Sequence, residues 1–178
     1  MNLPNSLTVL RLLLAPAIVW LIVTGEYRIA AVLFASAALT DFLDGWLARH
    51  LKLSTTFGQF ADPVADKALL SGTFLAFGIT GAVPFWLVVV VFGRDLYLLL
   101  ATFIAMKFTT LREYRPSLAG KLNTSIQILY VVLLLFMEAV NHSILHNIHE
   151  LLVWPIAFMA IFTGVQYTVR GILRLARD

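Results

Sequence analysis

The sequence predicts an all-α integral membrane protein with six transmembrane helices and an intramembrane polar cavity open to the cytoplasm. Hydrophobic residues make up 60% of the 178-residue chain, only 13% of the residues are charged, and the mean hydropathy is +0.88. A soluble domain of this size carries about 25% charged and roughly 45–50% apolar residues. Because this apolar excess has no core to enter in water, we expect the chain to lie in a bilayer.

Six apolar segments approach the roughly 20 residues that a helix needs to cross a membrane. They span about 6–24, 29–48, 60–80, 84–106, 120–139 and 151–171. Gly, Pro, Asn or clusters of charge, which commonly interrupt helices, occupy every break between them. Since no connection is long enough for a second folded unit, residues 1–178 are expected to form a single domain.

Residues 1–11 mix polar and apolar positions before the first full apolar segment. Two interpretations stay open for them. They are either an amphipathic segment that lies at the membrane interface or simply the start of the first helix.

The distribution of Lys and Arg predicts the orientation, because cytoplasmic loops carry an excess of these residues. With the N-terminus in the cytoplasm, one side of the membrane collects Arg49, Lys52, Lys107, Arg112, Arg115, Lys121, Arg170, Arg174 and Arg177. The connections on the opposite side carry Arg28 beside Glu26, no charge at 81–84, and Glu138 with Glu150. Both termini are therefore predicted to be cytoplasmic.

Four aspartates, Asp41, Asp44, Asp62 and Asp66, interrupt two of the apolar segments. Ionisable residues inside spanning segments cost several kcal/mol, so they are typical of functional sites. Asp41 and Asp44 lie three residues apart and Asp62 and Asp66 four apart, so each pair shares a helix face. Since a short cytoplasmic turn joins the two segments as antiparallel neighbours, we expect all four carboxylates to converge at the cytoplasmic end of a cavity.

Four neighbouring carboxylates need compensating positive charge, because like charges disfavour one another's ionised form. Oxygen ligands without His or Cys favour Mg²⁺, Mn²⁺ or Ca²⁺ over zinc, and the chain contains no cysteine. A carboxylate-held metal pair suits displacement at phosphorus. Gly45 and Gly58 would let a diphosphate approach the backbone closely, and Arg49 offers a guanidinium to phosphate. The aspartates are thus predicted to form a metal site for phosphoryl chemistry.

Two other interpretations of the aspartates remain. They could be structural partners of Arg49 and Lys67, although two bases do not match four acids. They could instead belong to a small ion or solute transporter, although neither discontinuous helices nor repeat symmetry is visible.

Written together, these residues read Asp41-x2-Asp44-Gly45-x2-Ala48-Arg49-x8-Gly58-x3-Asp62-x3-Asp66. The pattern resembles the signature of the CDP-alcohol phosphatidyltransferase family at every position and spacing. The six helices and the cytoplasmic site are also similar to that family. The resemblance implies transfer of the phosphatidyl group of CDP-diacylglycerol to an alcohol, with release of CMP. It further implies a homodimer in the lipid bilayer and no nucleic-acid partner.

The resemblance also implies a role for each signature position. Asp41, Asp44 and Asp62 would hold two ions of Mg²⁺ or Mn²⁺, and Asp66 would share metal binding with a general-base role toward the acceptor hydroxyl. The residues that would shape the CDP-diacylglycerol site are Asp41, Gly45, Ala48, Arg49 and Gly58. Lys67 is a further candidate for phosphate binding.

The acceptor is expected to be an anionic, glycerol-based alcohol. Residues 2–11 and 62–67 resemble two subfamilies: phosphatidylglycerophosphate synthases, which use glycerol 3-phosphate, and cardiolipin synthases of the mitochondrial type, which use phosphatidylglycerol. Gly93-Arg94-Asp95 and Asn123 are more similar to the second group. We nevertheless predict glycerol 3-phosphate, the substrate of the commoner enzyme, and keep phosphatidylglycerol as the alternative.

Candidate cations for the acceptor phosphate are Arg94, Arg112, Arg115 and Lys121. Arg94 lies inside a predicted span, so it is expected to face the cavity unless it pairs with Asp95. The other three follow the fourth span, where contact with anionic lipid is the alternative. Asn123 and Gln127 share one face of the fifth helix, where they could line the pocket or form interhelical hydrogen bonds.

Three histidines, His142, His146 and His149, recur at a helical spacing that would suit zinc. They lie at the membrane boundary opposite the aspartates. We therefore interpret them as a polar interfacial face rather than as a metal site.

Overall fold

The computed structural model describes residues 3–51, 56–108, 117–140 and 143–175, and within these ranges the chain forms six helices. They are α1 Leu3–Val23, α2 Tyr27–Leu51, α3 Thr56–Ile79, α4 Phe85–Phe108, α5 Leu118–Val140 and α6 Ser143–Leu175. Each helix contains most of one predicted apolar segment, so the predicted all-helical chain with six helices is confirmed. The largest difference is in α6, which begins eight residues before the apolar segment that starts near 151.

Helix α1 runs without a break from Leu3 to Val23. Residues 3–11 are thus the start of the first helix, which is the second of the two interpretations of this segment. The continuous helix carries Arg11 into the bundle, where it is buried.

Helix α3 occupies the centre of the bundle, where it packs against α1, α4 and α5. Contacts of α1 with α2, α2 with α5, α5 with α6, and α6 with α4 link the other five helices around it. Close packing with α1 depends on Gly72, because a Cβ added there would lie 3.1 Å from Cγ2 of Val19. Phe74 and Phe77 are fully buried on α3 and supply much of the apolar contact at the centre.

Helices α2 and α3 run antiparallel, as predicted. Tyr27 at the start of α2 stacks on Phe77 near the end of α3, with ring centroids 6.5 Å apart. Within the described part of the chain, however, the two backbones do not pack directly against each other, and α1 lies against both. The stacked aromatic rings connect the two helices at this end.

Two of the described helical segments, Leu118–Val140 and Ile148–Leu173, are long and apolar enough to cross a membrane. Shorter apolar stretches cover Leu10–Val23 and Tyr27–Thr40. Large apolar side chains such as Leu13, Leu151 and Trp154 are exposed on the outside of the bundle. So extensive an exposed apolar surface is typical of a membrane protein.

Candidate active site

The four signature aspartates lie at similar levels along α2 and α3. A helix rises about 1.5 Å per residue, which places Asp41 about 15 Å and Asp44 about 10 Å before the end of α2 at Leu51. The same rise places Asp62 about 9 Å and Asp66 about 15 Å after the start of α3. The distances of the four backbone positions from the end of α2 or the start of α3 therefore agree to within about one helical turn.

The structure describes the side chain of Asp66, whereas those of the other three signature aspartates lie outside the described side chains. The same is true of Gly45, Ala48, Arg49 and Gly58, whose backbones belong to α2 and α3. The predicted convergence of four carboxylates thus stays a prediction.

Asp66 forms an ion pair with Arg11 that joins α1 to α3. Nη1 of Arg11 donates a hydrogen bond to Oδ1 of Asp66 at 2.5 Å. The side chain of Arg11 is 3% exposed and that of Asp66 is 45% exposed. A buried guanidinium thus holds a carboxylate that stays accessible to a ligand, and a charge-assisted hydrogen bond of this kind restricts the orientation of the carboxylate.

Arg11 is a site residue that was not predicted from the sequence. A signal for it is nonetheless present, because Arg11 lies inside the apolar stretch Leu10–Val23. An ionisable residue within such a stretch is typical of a functional site.

A second buried ionic network begins at Lys67, the residue after Asp66. Nζ of Lys67 lies 2.7 Å from Oδ1 of Asp95, and Nη1 of Arg94 donates to the same oxygen at 2.6 Å. Nε of Arg94 donates to Oγ1 of Thr163 at 3.2 Å. The network ties α3, α4 and α6 together directly beside the signature aspartate.

This network bears on the two interpretations of Arg94. The side chain pairs with Asp95, which was the alternative to a position facing the cavity. Lys67 also pairs with Asp95. Among the described side chains it does not pair with a signature aspartate, as it would if the aspartates were structural partners of Arg49 and Lys67. Two cations share one carboxylate, so these three residues carry a net charge of +1. Contact of Arg94 or Lys67 with a phosphate stays a prediction.

The other candidate cations lie nearer the end of the bundle. Lys121 is exposed on the first turn of α5, and Arg112 and Arg115 lie outside the described residues. The start of α5 is held against α6, because the backbone N–H of Ser117 donates to the hydroxyl of Tyr167 at 2.8 Å. Gly120 is required at this contact, since an added Cβ would lie 2.6 Å from the Tyr167 hydroxyl oxygen.

Two polar side chains of α5 are buried in the bundle. Asn123 is 1% exposed and Gln127 is 0% exposed, and neither amide has a hydrogen-bond partner among the described residues. The interhelical hydrogen bonds that the sequence allowed are therefore not found in the described part of the chain.

The interpretation of His149 as part of an interfacial polar face is wrong, because its side chain is buried. Its Nδ1 lies 2.7 Å from the hydroxyl oxygen of Tyr130, and the two rings stack with centroids 5.7 Å apart. The longer α6 carries this residue into the bundle. His142 and the side chain of His146 lie outside what the structure describes, and no group of three metal-ligating residues occurs among the described ones.

Comparison with known proteins defines the class to which this helical bundle belongs. The family model for CDP-alcohol phosphatidyltransferase matches residues 1–166, nearly the whole chain. The protein therefore belongs to the CDP-alcohol phosphatidyltransferase family.

Relatives within the family fall into two named groups. The chain is 34% identical to the CDP-diacylglycerol--glycerol-3-phosphate 3-phosphatidyltransferase of Aquifex aeolicus, over the full length of both proteins. It is 30% identical to the human cardiolipin synthase (CMP-forming) over 93% of this chain and 59% of that protein. It is 35% identical to a probable cardiolipin synthase (CMP-forming) of Drosophila melanogaster over 72% of this chain and 45% of that protein. The chain thus spans about half the length of these two cardiolipin synthases.

Proposed function

We propose that this protein transfers the phosphatidyl group of CDP-diacylglycerol to glycerol 3-phosphate and releases CMP. The observation that carries the proposal is the eight-position signature from Asp41 to Asp66, complete in a chain that belongs to this family. The full-length similarity to a bacterial protein named for this reaction supports glycerol 3-phosphate as the acceptor.

In the proposed reaction, a hydroxyl oxygen of the acceptor attacks the phosphorus of the phosphatidyl group. A new P–O bond forms while the bond to the CMP oxygen breaks, and CMP leaves with the electron pair of that bond. The carboxylate of Asp66 takes the proton of the attacking hydroxyl. Its half-exposed side chain supports this role, and the buried Arg11 restricts the direction in which the carboxylate points.

The signature aspartates fit a divalent metal site in their chemistry. Asp41, Asp44, Asp62 and Asp66 offer only oxygen ligands, which Mg²⁺ and Mn²⁺ prefer. Two such ions would balance the charge of the diphosphate and stabilise the attacking and leaving oxygens when bound. The shared level of the four positions along α2 and α3 supports this assignment.

The remaining signature positions lie nearer the end of the bundle than the aspartates of α2. We assign Gly45, Ala48, Arg49 and Gly58, together with Asp41, to the CDP-diacylglycerol site. For the acceptor phosphate we assign Arg94, Arg112, Arg115 and Lys121. The surplus positive charge of the network around Asp95 supports an anion close to Arg94.

Phosphatidylglycerol is the second candidate acceptor, which would make the protein a cardiolipin synthase. The similarity to the human and Drosophila proteins favours it. So does the neutral side chain of Asn123, since the phosphodiester of phosphatidylglycerol carries less negative charge than the phosphate monoester of glycerol 3-phosphate and therefore needs fewer cations.

We further propose that all six helices cross the membrane within one domain, residues 1–178. Both termini and the aspartate end of the bundle would face the cytoplasm, where an intramembrane polar cavity opens. The excess of Lys and Arg at this end supports the orientation. Trp86 and Trp154, whose rings lie 5.5 Å apart at the other end, are residues typical of a membrane interface. A homodimer is part of the proposal by similarity to the family.

The test is release of CMP by the purified protein in detergent. CDP-diacylglycerol and Mg²⁺ or Mn²⁺ are supplied with glycerol 3-phosphate, phosphatidylglycerol, inositol phosphate or serine. We expect release with one of the two glycerol-based acceptors, its loss on chelation with EDTA, and its recovery when metal is added back. The Asp66→Asn variant should be inactive but bind CDP-diacylglycerol, and the control Glu138→Gln, which alters an acid near the other end of α5, should be active. Background release with every acceptor would contradict the proposal.

A further inference from the structure

The two buried amides of α5 indicate a binding site that the signature does not include. Asn123 and Gln127 lie four residues apart, so they stack on one helix face. Their side chains are 1% and 0% exposed, and all four of their polar atoms are without a hydrogen-bond partner among the described residues. Most buried polar groups in proteins are hydrogen-bonded, because an unpaired one loses its hydration without compensation. Two adjacent exceptions therefore point to a ligand.

The contact between α2 and α5 gives the level of these amides relative to the signature. Nε of Arg28 donates to the backbone carbonyl of Ala139 at 3.4 Å, and the two helices run antiparallel. Asp44 lies 16 residues after Arg28, and Asn123 lies 16 residues before Ala139. Since both helices have the same rise per residue, Asn123 is level with Asp44 to within about one turn. Gln127 lies one turn deeper in the bundle.

The contact between α3 and α5 gives the same level independently. Phe74 and Tyr130 stack with ring centroids 5.8 Å apart, and these two helices run parallel. Asp66 lies eight residues before Phe74, and Asn123 lies seven residues before Tyr130. Asn123 is thus level with signature aspartates on both neighbouring helices.

The hydrogen-bonding capacity of the amides selects the kind of ligand. Each amide carries two N–H donors and an oxygen that needs a donor from its partner. The diphosphate and ester groups of CDP-diacylglycerol only accept hydrogen bonds, so they would leave both amide oxygens unpaired. A hydroxyl group both donates and accepts, and therefore satisfies either end of an amide.

The cytosine amino group and the ribose hydroxyls of CDP-diacylglycerol could also donate, but the position of the amide pair argues against both. Apart from Asp41, which is also assigned to the metals, the residues assigned to CDP-diacylglycerol lie nearer the aspartate end of the bundle than Asp44. Ala48 and Arg49 are about one turn nearer the end of α2. Gln127 lies on the opposite, deeper side of Asp44. The hydroxyls of the acceptor remain as the matching ligand.

We propose that Asn123 and Gln127 bind the two neighbouring hydroxyl groups of a glycerol acceptor and orient one of them toward the phosphatidyl phosphorus. This inference rests on the proposed function. It applies to both candidate acceptors, because glycerol 3-phosphate and the head group of phosphatidylglycerol each carry two free hydroxyls. The pair would make the enzyme selective for a diol over an alcohol with a single hydroxyl.

The test compares acceptors that differ by one hydroxyl. Glycerol 3-phosphate is compared with 3-hydroxypropyl phosphate, and phosphatidylglycerol with phosphatidyl-1,3-propanediol. For the pair that the wild-type protein uses, we expect kcat/KM to favour the diol by about tenfold or more, the value of one well-placed hydrogen bond. Asn123→Leu and Gln127→Met, which keep the volume but remove the amide, should bring this preference close to one.

Two controls separate acceptor binding from a structural role. Thr124→Val removes a hydroxyl that, in the described part of the chain, donates to the carbonyl of Gly120 within its own helix, so it should keep the diol preference. The affinity for CDP-diacylglycerol should be unchanged in all variants. If Asn123→Leu does not fold, Asn123→Ser makes the same comparison with a small polar side chain, and a reduced diol preference is expected.

The outcomes distinguish this inference from the proposed function. Wild-type protein that transfers to neither diol contradicts the proposed function itself. Wild-type protein that transfers, with amide variants that retain the full diol preference, overturns only the inference. Variants with a lowered melting temperature and an unchanged preference would assign the amides to packing and would also overturn it.

Discussion

Removal of the Asp95 carboxylate is the perturbation whose cost the structure defines most closely. Its Oδ1 lies 2.6 Å from Nη1 of Arg94 and 2.7 Å from Nζ of Lys67, and the side chain is only 3% exposed. Asp95→Asn keeps the shape of the side chain but removes the negative charge that both cations share. Breaking a buried ion pair in this way costs about 3–5 kcal/mol. We expect a loss of stability in this range, because Lys67 and Arg94 then repel each other without the carboxylate between them.

The assay is the free energy of unfolding in mixed micelles, measured for wild type, Asp95→Asn, Lys67→Met and the double variant. Lys67→Met leaves the neutral pair of Arg94 and Asp95, so it should cost less than about 1.5 kcal/mol. In the Asp95→Asn background the same change removes one of the two uncompensated cations and should restore part of the stability.

Two results would refute this reasoning about charge balance. One is a cost below about 1 kcal/mol for Asp95→Asn, which is the range of exposed ion pairs. The other is a double variant that loses the sum of the two single costs, since independent sites add in this way.

Three further predictions concern the residues around Asp66. Arg11→Ala should lower kcat about tenfold or more, because the guanidinium orients the carboxylate of Asp66. Arg11→Lys should restore part of kcat, and the affinity for CDP-diacylglycerol should be unchanged in both variants. Equal kcat in wild type and both variants would assign Arg11 to packing alone. Arg94→Ala should raise KM for the acceptor more than KM for CDP-diacylglycerol, and an unchanged acceptor KM would leave Arg94 with its structural partners only. Gly120→Ala should lower the free energy of unfolding by about 1–3 kcal/mol through overpacking against the Tyr167 hydroxyl. Adding Tyr167→Phe to Gly120→Ala should recover part of the lost stability, and no recovery would show that this contact is not the cause.

The number of helices could be predicted from the sequence because each apolar run ends at Gly, Pro or charged residues. The start of α6 could not, because residues 143–150 are polar enough to fall below a hydropathy threshold although they continue the helix. His149 was misinterpreted for this reason. A pattern of hydropathy locates the apolar part of a helix, whereas the helix itself ends where its backbone hydrogen bonds end.

The signature aspartates could be recognised because their spacing along each helix is local. The pairing of Arg11 with Asp66 spans 55 positions, and it depends on the packing of α1 against α3. No local pattern encodes that packing. The same limit applies to Lys67, whose nearest acid in the sequence is Asp66 but whose partner in the structure is Asp95 on α4.

The two amides of α5 also show which features could be predicted from the sequence and which could not. Their spacing predicts a shared helix face, and that was read correctly from the sequence. Only the structure shows that this face is buried and that both amides are without a partner among the described residues. Those two facts turn a pair of polar residues into a binding hypothesis.

Identification of the lipid product by mass spectrometry tests the proposed reaction without an intermediate assumption. Purified protein is incubated with CDP-diacylglycerol, Mg²⁺ or Mn²⁺, and glycerol 3-phosphate, beside the Asp66→Asn variant. We expect phosphatidylglycerophosphate and CMP in equal amounts from the wild-type protein and neither from the variant. Equal product from both proteins would contradict the assignment of the reaction to the signature aspartates.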